Sequence, residues 1–152
     1  MKNIECDYEN PWYFEGSPFL SENINGLYGF VYLITNLQSG KKYIGRKYFW
    51  KFRTPKGKKR KVKSESDWKK YYGSCPELKE DIEKFGKNNF SRTILSLHET
   101  PGKTNFEETR QLFVNGVLTE SLDTGGPAYY NSNILSRYFR KDYYEGQHGA
   151  SS

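Results

Sequence analysis

The chain of 152 residues suits a single domain, and its 23 Tyr and Phe and three Trp supply enough large side chains for a core. No apolar run approaches the roughly 20 residues that cross a bilayer, and the N-terminus lacks the apolar stretch of a signal peptide. Cys6 and Cys75 are isolated, without metal-type spacing. We therefore expect a cytoplasmic protein with reduced thiols and no membrane contact.

The net charge of +6 hides one concentrated basic stretch. Residues 41–63 carry twelve of the 24 Lys and Arg and no acid, whereas the rest of the chain holds twelve bases against 18 acids. Such a patch predicts a polyanionic partner, although a solvated face or a localisation signal has the same composition. We favour contact with a polyanion because the stretch lies inside the chain. The candidate contacts are Lys41, Lys42, Arg46, Lys47, Lys56, Lys58, Lys59, Arg60, Lys61 and Lys63.

Residues 1–27 are polar and interrupted by several Pro and Gly, which predicts an irregular N-terminal arm. Aromatic residues such as Trp12 and Phe19 are expected to anchor this arm to the domain by packing. No chemistry is assigned to it.

The stretch 29–45 predicts a β-hairpin, because two apolar, β-branched and aromatic runs flank a segment with turn residues. With residues 36–39 as a four-residue loop, the numbers of paired residues sum to 75. Tyr32 then faces Tyr43, and facing residues of an antiparallel pair point to the same side. In the second strand, Arg46 points to the side opposite Tyr43.

A short helix or turn is expected at residues 48–52, followed by a basic loop, so that 51–63 reads as an insertion. Ser74 and Glu77 then form a capping box with Pro76 in the first turn. The helix that follows carries one apolar stripe and ends at Gly86. Residues 90–98 alternate well enough to predict a third strand.

A second capping box at Thr104 and Glu107 is expected to open a helix that reaches residue 114. Glu107 is occupied by the cap in this interpretation, whereas Glu108 projects about 100° further around the helix and is free. Residues 115–128 read as a loop, 134–140 as a terminal helix, and 142–152 as a disordered tail.

The hairpin resembles the GIY-YIG nucleases. Residues 30–32 stand in place of GIY, residues 34–36 read ITN, and Tyr43, Ile44 and Gly45 form an intact YIG eleven residues after Tyr32. The resemblance covers roughly residues 28–131 and implies an α+β fold, with a small three-stranded antiparallel sheet flanked by helices. It places the nuclease-like domain at 28–141, after the arm.

The resemblance also implies the site residues of a phosphodiester hydrolase. Tyr32 and Tyr43 match the motif tyrosines, with Tyr43 as general base, Glu108 as the ligand of one divalent metal, Mg²⁺ or Mn²⁺, and Asn131 as the closing asparagine. Arg53 lies ten residues after Tyr43 and is the first choice for the phosphate-binding arginine. Arg46 is the second choice and Arg60 the third.

A phenol has a pKa of about 10, so Tyr43 would need a field of nearby cations to act as a base. Lys41, Lys42 and the basic loop are the expected sources of that field. Without the resemblance, two cross-strand tyrosines would read as ordinary core residues.

Three functions remain open from the sequence. The first is a metal-dependent endonuclease acting on double-stranded DNA, similar to short phage and intron-associated members of the family and active in the host cytoplasm if phage-encoded. The second is a non-catalytic nucleic-acid-binding domain, and the third is a phage-type protein that binds a host protein through its aromatic arm. Sequence specificity is left to the arm, the basic loop, a homodimer or another polypeptide.

Overall fold

A computed structural model describes residues 6–146. The three α-helices of this part of the chain are α1 (Pro76–Phe85), α2 (Pro101–Val114) and α3 (Arg140–Tyr143). The strands there are β1 (Trp12–Phe14), β2 (Ser17–Pro18), β3 (Gly29–Asn36), β4 (Lys42–Tyr48), β5 (Trp50–Arg53), β6 (Val62–Glu65), β7 (Phe90–His98), β8 (Asn133–Ile134) and β9 (Tyr138–Phe139).

The main sheet has five strands in the order β2-β1-β7-β3-β4, so the expected α+β class is confirmed but the three-stranded antiparallel sheet is wrong. The two extra strands come from the N-terminal arm, and β1 runs parallel to β7. Trp12 explains the docking: it is fully buried, and its indole N–H donates to the carbonyl of Trp68 at 2.7 Å. The arm thereby covers an edge of β7 that would otherwise expose unpaired backbone groups.

The arm is also held by Arg92 of β7, which is buried and forms no ion pair with the acidic residues between 6 and 146. Its guanidinium donates to the carbonyls of Asn10, Lys69 and Tyr71, at distances between 2.6 and 3.0 Å. Burial lowers the pKa of Arg92. One side chain therefore joins the arm, the sheet and the segment that precedes α1.

The hairpin register differs from the prediction because the turn is displaced by one residue. The amide of Asn36 donates to the carbonyl of Lys41, so the four-residue loop is 37–40, and paired residues sum to 77. Gly40 has a φ of 81°, which favours glycine at the last loop position. Tyr32 is opposite Gly45 and Tyr43 opposite Ile34, but a two-residue shift keeps each side chain on its predicted face.

The two faces of the sheet bury separate apolar clusters. Phe30, Tyr32 and Ile34 of β3 pack with Trp12 and Trp68 and with the buried face of α1. The alternate side chains of β3 and β4 pack with α2 and with the loop and hairpin that follow it. Members of this second cluster are Val31, Ile44, Leu112, Val117, Leu118, Ala128, Tyr129 and Ile134.

Both helix starts differ from the predicted capping boxes. Helix α1 begins at Pro76 after Cys75, without a side-chain cap, and ends at Gly86 as predicted. Helix α2 begins three residues before Thr104, and the side chain of Thr100 accepts from the amide of Lys103. The ETP sequence explains this start, because Pro is favoured in the first turn and Thr at the cap.

The remaining departures are local. The helix or turn expected at 48–52 is absent from the described chain, where β5 and β6 form a second, two-stranded sheet around the basic insertion. The helix expected at 134–140 is a short hairpin, β8–β9, that leads into α3. Most of the tail predicted at 142–152 lies outside the described residues. None of the helices at 6–146 has the length and apolarity to span a bilayer.

Candidate active site

A cleft of about 510 Å³ lies at the outer edge of β4, the last strand in the sheet. Tyr43 reaches it from the α1 side of the sheet, whereas Arg46 reaches it from the α2 side. Side chains of both faces converge because the edge has no further strand to separate them. The other cleft residues used below are Ser74, Glu108, Tyr130 and Asn131.

The two motif tyrosines lie on one face, with ring centroids 6.2 Å apart. Tyr32 lies across Gly45, where an added Cβ would come within 2.6 Å of the Tyr32 Cζ. Gly73 closes the pair from the other side, with a φ of 86° and a Cβ position 3.2 Å from Tyr43 Cε2. Gly45 is therefore required by the close approach of Tyr32, and Gly73 by its positive φ. Tyr32 is fully buried behind Tyr43 and is outside the set of residues that line the cleft.

The expected field of lysines on Tyr43 is wrong. Burial raises the pKa of Tyr43 to about 12, and a hydrogen bond with Ser74 is the main influence that lowers it. Lys41 instead forms a 2.6 Å ion pair with Glu77 and lies over the ring of Tyr130. Burial also raises the pKa of Tyr32 well above its ordinary value.

Arg46 and Glu108 form an ion pair of 3.3 Å at the mouth of the cleft. The guanidinium also lies 5.3 Å from the ring centroid of Tyr48. Glu108 is held by α2 with its side chain 22% exposed. Burial raises the pKa of this carboxyl group, and Arg46 opposes that shift.

Glu107, its neighbour, has a different environment. Hydrogen bonds from Arg110 and Gln111 occupy its carboxylate and lower its pKa to about 2. The predicted capping role of Glu107 is wrong because the helix begins earlier. The carboxylate of Glu107 is thus occupied and its pKa is lowered, whereas the carboxylate of Glu108 faces the cleft and its pKa is raised.

Asn131 completes the edge of β4. Its amide side chain accepts from the N–H of Ile44 at 3.1 Å and donates to the carbonyl of Ile44 at 2.8 Å. The preceding residues continue the pattern, since Lys42 exchanges backbone hydrogen bonds with Ala128 and Tyr130. Asn131 therefore acts as a one-residue strand partner and stops the pairing just before Arg46.

The other residues that were predicted to bind phosphate or a polyanion, described next, lie outside the cleft. Arg53 is exposed on β5, and Arg60 is exposed at the tip of the second sheet, so neither lines the cleft in the described chain. Lys47 pairs with Asp67 at 2.6 Å. The lysines at 56, 58, 59, 61 and 63 are exposed with Arg60 on the same projection.

Two residues near the tyrosines were missed from the sequence. Ser74, expected as a helix cap, lies in the cleft with Tyr43 and lowers the pKa of that phenol, whereas Tyr71 raises the pKa of Tyr32. A third, Arg140, donates to the carbonyl of Tyr129 at 3.2 Å and so holds the segment that carries Asn131. The sequence YYGS at 71–74 was a usable signal, because Gly after two aromatics permits close approach.

The cleft fits a divalent cation held by one carboxylate. No group of three His, Cys, Asp and Glu side chains is assembled within residues 6–146, but Mg²⁺ often uses one or two carboxylates with water and phosphate oxygens. Glu108 is partly buried, and its carboxylate has a single long ion pair with Arg46. A phosphate approaching this carboxylate needs positive charge beyond that of Arg46.

An α+β fold that carries a YIG hairpin in its main sheet is typical of the GIY-YIG class. The family model described as "Putative endonuclease segE, GIY-YIG domain" matches residues 12–134, and the chain belongs to this family. Nucleases of the family generally use divalent metal ions.

One relative is "Putative endonuclease segE" of Enterobacteria phage T4, which is 34% identical over 105 residues. The match covers 69% of this chain and 40% of the relative, so the chain spans under half the length of that protein. No solved structure matches the chain significantly.

Proposed function

We propose that the protein is a metal-dependent endonuclease that hydrolyses phosphodiester bonds of double-stranded DNA at the β4 cleft. The observation that carries this proposal is the convergence of three side chains on one cleft. Tyr43 and Arg46 reach it from opposite faces of β4, and Glu108 reaches it from α2. Membership of the family supports the same activity.

Tyr43 is the proposed general base. Its phenolate takes a proton from the attacking water as the water oxygen bonds to phosphorus, and the bond to the 3′-oxygen breaks. The 3′-oxygen leaves with the bonding electron pair and takes a proton from solvent water, so the products are a 3′-hydroxyl and a 5′-phosphate, and Tyr43 returns its proton to solvent. Ser74 lowers the pKa of Tyr43, and a hydrogen bond donated by its hydroxyl group would favour the phenolate. Tyr32 is a positioning residue, which fixes the Tyr43 ring from the core.

Arg46 is the proposed phosphate ligand. Its place at the cleft mouth supports this role over that of Arg53, which the sequence spacing favours. A guanidinium offers two parallel donors to phosphate oxygens and stabilises charge as the pentavalent transition state forms. The ion pair with Glu108 and the ring of Tyr48 preorganise it.

Glu108 is the proposed ligand of Mg²⁺ or Mn²⁺. When bound, the ion supplies positive charge that stabilises the transition state and the leaving 3′-oxygen. Asn131 holds the backbone of Ile44 and so keeps Tyr43 and Arg46 at a fixed separation along the strand.

The test compares Glu108→Gln with Glu107→Gln, a matched change one position away on the same helix. With supercoiled plasmid and Mg²⁺ or Mn²⁺, wild-type protein is expected to cut, and chelation is expected to stop it. Glu108→Gln should lose about 10²–10³ or more in single-turnover rate, whereas Glu107→Gln should remain within about threefold. Duplex affinity should be similar in all three proteins.

Two results would contradict the proposal. Normal cutting by Glu108→Gln would show that another group holds the metal. Tight duplex binding by wild-type protein without cutting, in either metal, would instead establish a non-catalytic DNA-binding domain.

A further inference from the structure

The second sheet of the molecule is a basic ribbon, defined here as residues 50–65. Strands β5 and β6 pair antiparallel from Trp50 opposite Glu65 to Arg53 opposite Val62. Every residue from 51 to 63 is exposed except Pro55. Eight Lys and Arg and no acid occupy these positions.

The base of the ribbon is anchored to the domain, whereas its distal part is exposed. The Trp50 indole N–H donates to the carbonyl of Leu27 at 3.1 Å, and the ring of Phe52 stacks on Tyr28 with centroids 6.3 Å apart. An isolated two-stranded hairpin is marginally stable in water. The aromatic base therefore stabilises the ribbon, and the exposed tip is available to bind a partner.

Cations lie on both faces of the ribbon as well as at its tip. Lys51 and Arg53 share one face. Lys63, opposite Phe52, lies on the other face, where it is exposed and its ammonium group lies 4.2 Å from the ring centroid of Trp50. Lys58, Lys59, Arg60 and Lys61 follow at the tip. A flat anionic surface would be met by one face alone, whereas a groove between two phosphate backbones meets both faces and the tip.

Groove dimensions select one nucleic acid. The major groove of B-form DNA is about 12 Å wide and admits a two-stranded ribbon, whereas the minor groove is about 6 Å wide. The major groove of A-form RNA is deep and narrow, and a single strand has no groove.

The ribbon is joined to the cleft by a short, rigid connection. Only Phe49 separates β4 from β5, and it is fully buried with its amide bonded to the carbonyl of Tyr28. DNA held by the ribbon is thus held at a fixed distance from Arg46 on β4.

Resting on the proposed function for the identity of the substrate, we propose that the basic ribbon inserts into the major groove of duplex DNA and thereby presents the backbone to the β4 cleft. The ribbon, more than the cleft, then supplies affinity for the duplex.

The test measures binding in the Glu108→Gln background, where DNA stays intact, so its outcome does not depend on cleavage. A tip variant replaces Lys58, Lys59, Arg60 and Lys61 by Ala. A control variant replaces four exposed lysines elsewhere, Lys79, Lys84, Lys87 and Lys103. Circular dichroism of each variant checks that the fold is kept. The probes are one 30-base-pair duplex, its single strand and the matching double-stranded RNA.

The tip variant is expected to lose more than tenfold in duplex affinity and about 3–4 in the slope of log K against log salt, since each phosphate contact contributes roughly 0.9. The control variant should remain within about threefold. Methylation at guanine N7, in the major groove, should interfere with binding by the parent protein and not by the tip variant.

Equal losses in the tip and control variants would overturn the proposal. So would interference at adenine N3, which lies in the minor groove, or equal affinity for the duplex and the single strand or double-stranded RNA. If wild-type protein does not cut DNA but binds the duplex through the ribbon, the proposed function is contradicted. The ribbon is then still supported as the DNA-binding surface.

Discussion

The β4 cleft and the basic ribbon differ in how the sequence builds them. The cleft gathers Tyr43, Ser74, Glu108 and Asn131 from distant parts of the chain, and it is partly buried. The ribbon is local in sequence, exposed, and uniformly positive. The proposed chemistry therefore requires convergence and burial of side chains, whereas the proposed binding requires charge held outside the core. Substitutions in the two regions should therefore separate rate from affinity.

Tyr43→Phe should give the largest effect of the next three changes. Loss of a general base typically costs about 10²–10⁴ in rate, and duplex affinity should not change. Because burial raises the pKa of Tyr43 to about 12, the phenolate fraction and the wild-type rate should rise with pH from 7 to 9.5. Single-turnover cleavage across this range measures both effects, with Tyr129→Phe, outside the cleft, as control.

A Tyr43→Phe protein that cuts at the wild-type rate, or that keeps the same pH profile, would remove the phenol from the mechanism. The cleft would then provide only phosphate binding and metal binding.

Arg46 and Arg53 separate the two regions, since Arg46 lines the cleft and Arg53 lies on the ribbon. Arg→Lys keeps the charge and loses the planar fork of donors. Arg46→Lys should lower the single-turnover rate by about 10²–10³, whereas Arg53→Lys should stay within about threefold. The reverse order would support the sequence spacing and contradict the assignment from geometry.

Glu108→Gln should raise the stability of the protein slightly, although it should lower the cleavage rate. Burial raises the pKa of Glu108 above its unfolded value, so folding favours the protonated form, and stability from this group is lost as pH rises through the folded pKa. Glu108→Gln should therefore be more stable than wild type at pH 8, by less than about 1 kcal/mol because Arg46 partly offsets burial.

Denaturant unfolding at pH 8 and near pH 4 measures this difference. The gap should shrink at the lower pH, where the wild-type carboxyl group is protonated and resembles Gln. A wild-type protein that is the more stable of the two at pH 8 would show that the ion pair with Arg46 outweighs burial.

Local patterns predicted the elements whose residues carry their own signals. Strand β7 spans Phe90–His98 as expected, and Gly86 ends α1. The register of the hairpin failed because the position of a four-residue turn depends on one hydrogen bond, between Asn36 and Lys41. The sequence did not predict the strands of the arm, because the pairing of β1 with β7 is driven by burial of Trp12, which no local pattern encodes.

The cleft shows the same limit. Parity correctly placed Arg46 and Tyr43 on opposite faces of the sheet. It could not show that β4 is an edge strand, around which both faces meet. The prediction that nearby lysines lower the pKa of Tyr43 was wrong for a related reason. Burial raises that pKa, and burial is a property of the tertiary structure.

The most direct test of convergence is a crystal structure of Tyr43→Phe protein with duplex DNA and Mn²⁺, using the anomalous signal of the ion. One Mn²⁺ is expected to bind Glu108 and a backbone phosphate that also contacts Arg46, with residue 43 facing that phosphate. An ion bound away from Glu108, or DNA seated on the ribbon with no phosphate in the cleft, would contradict this expectation.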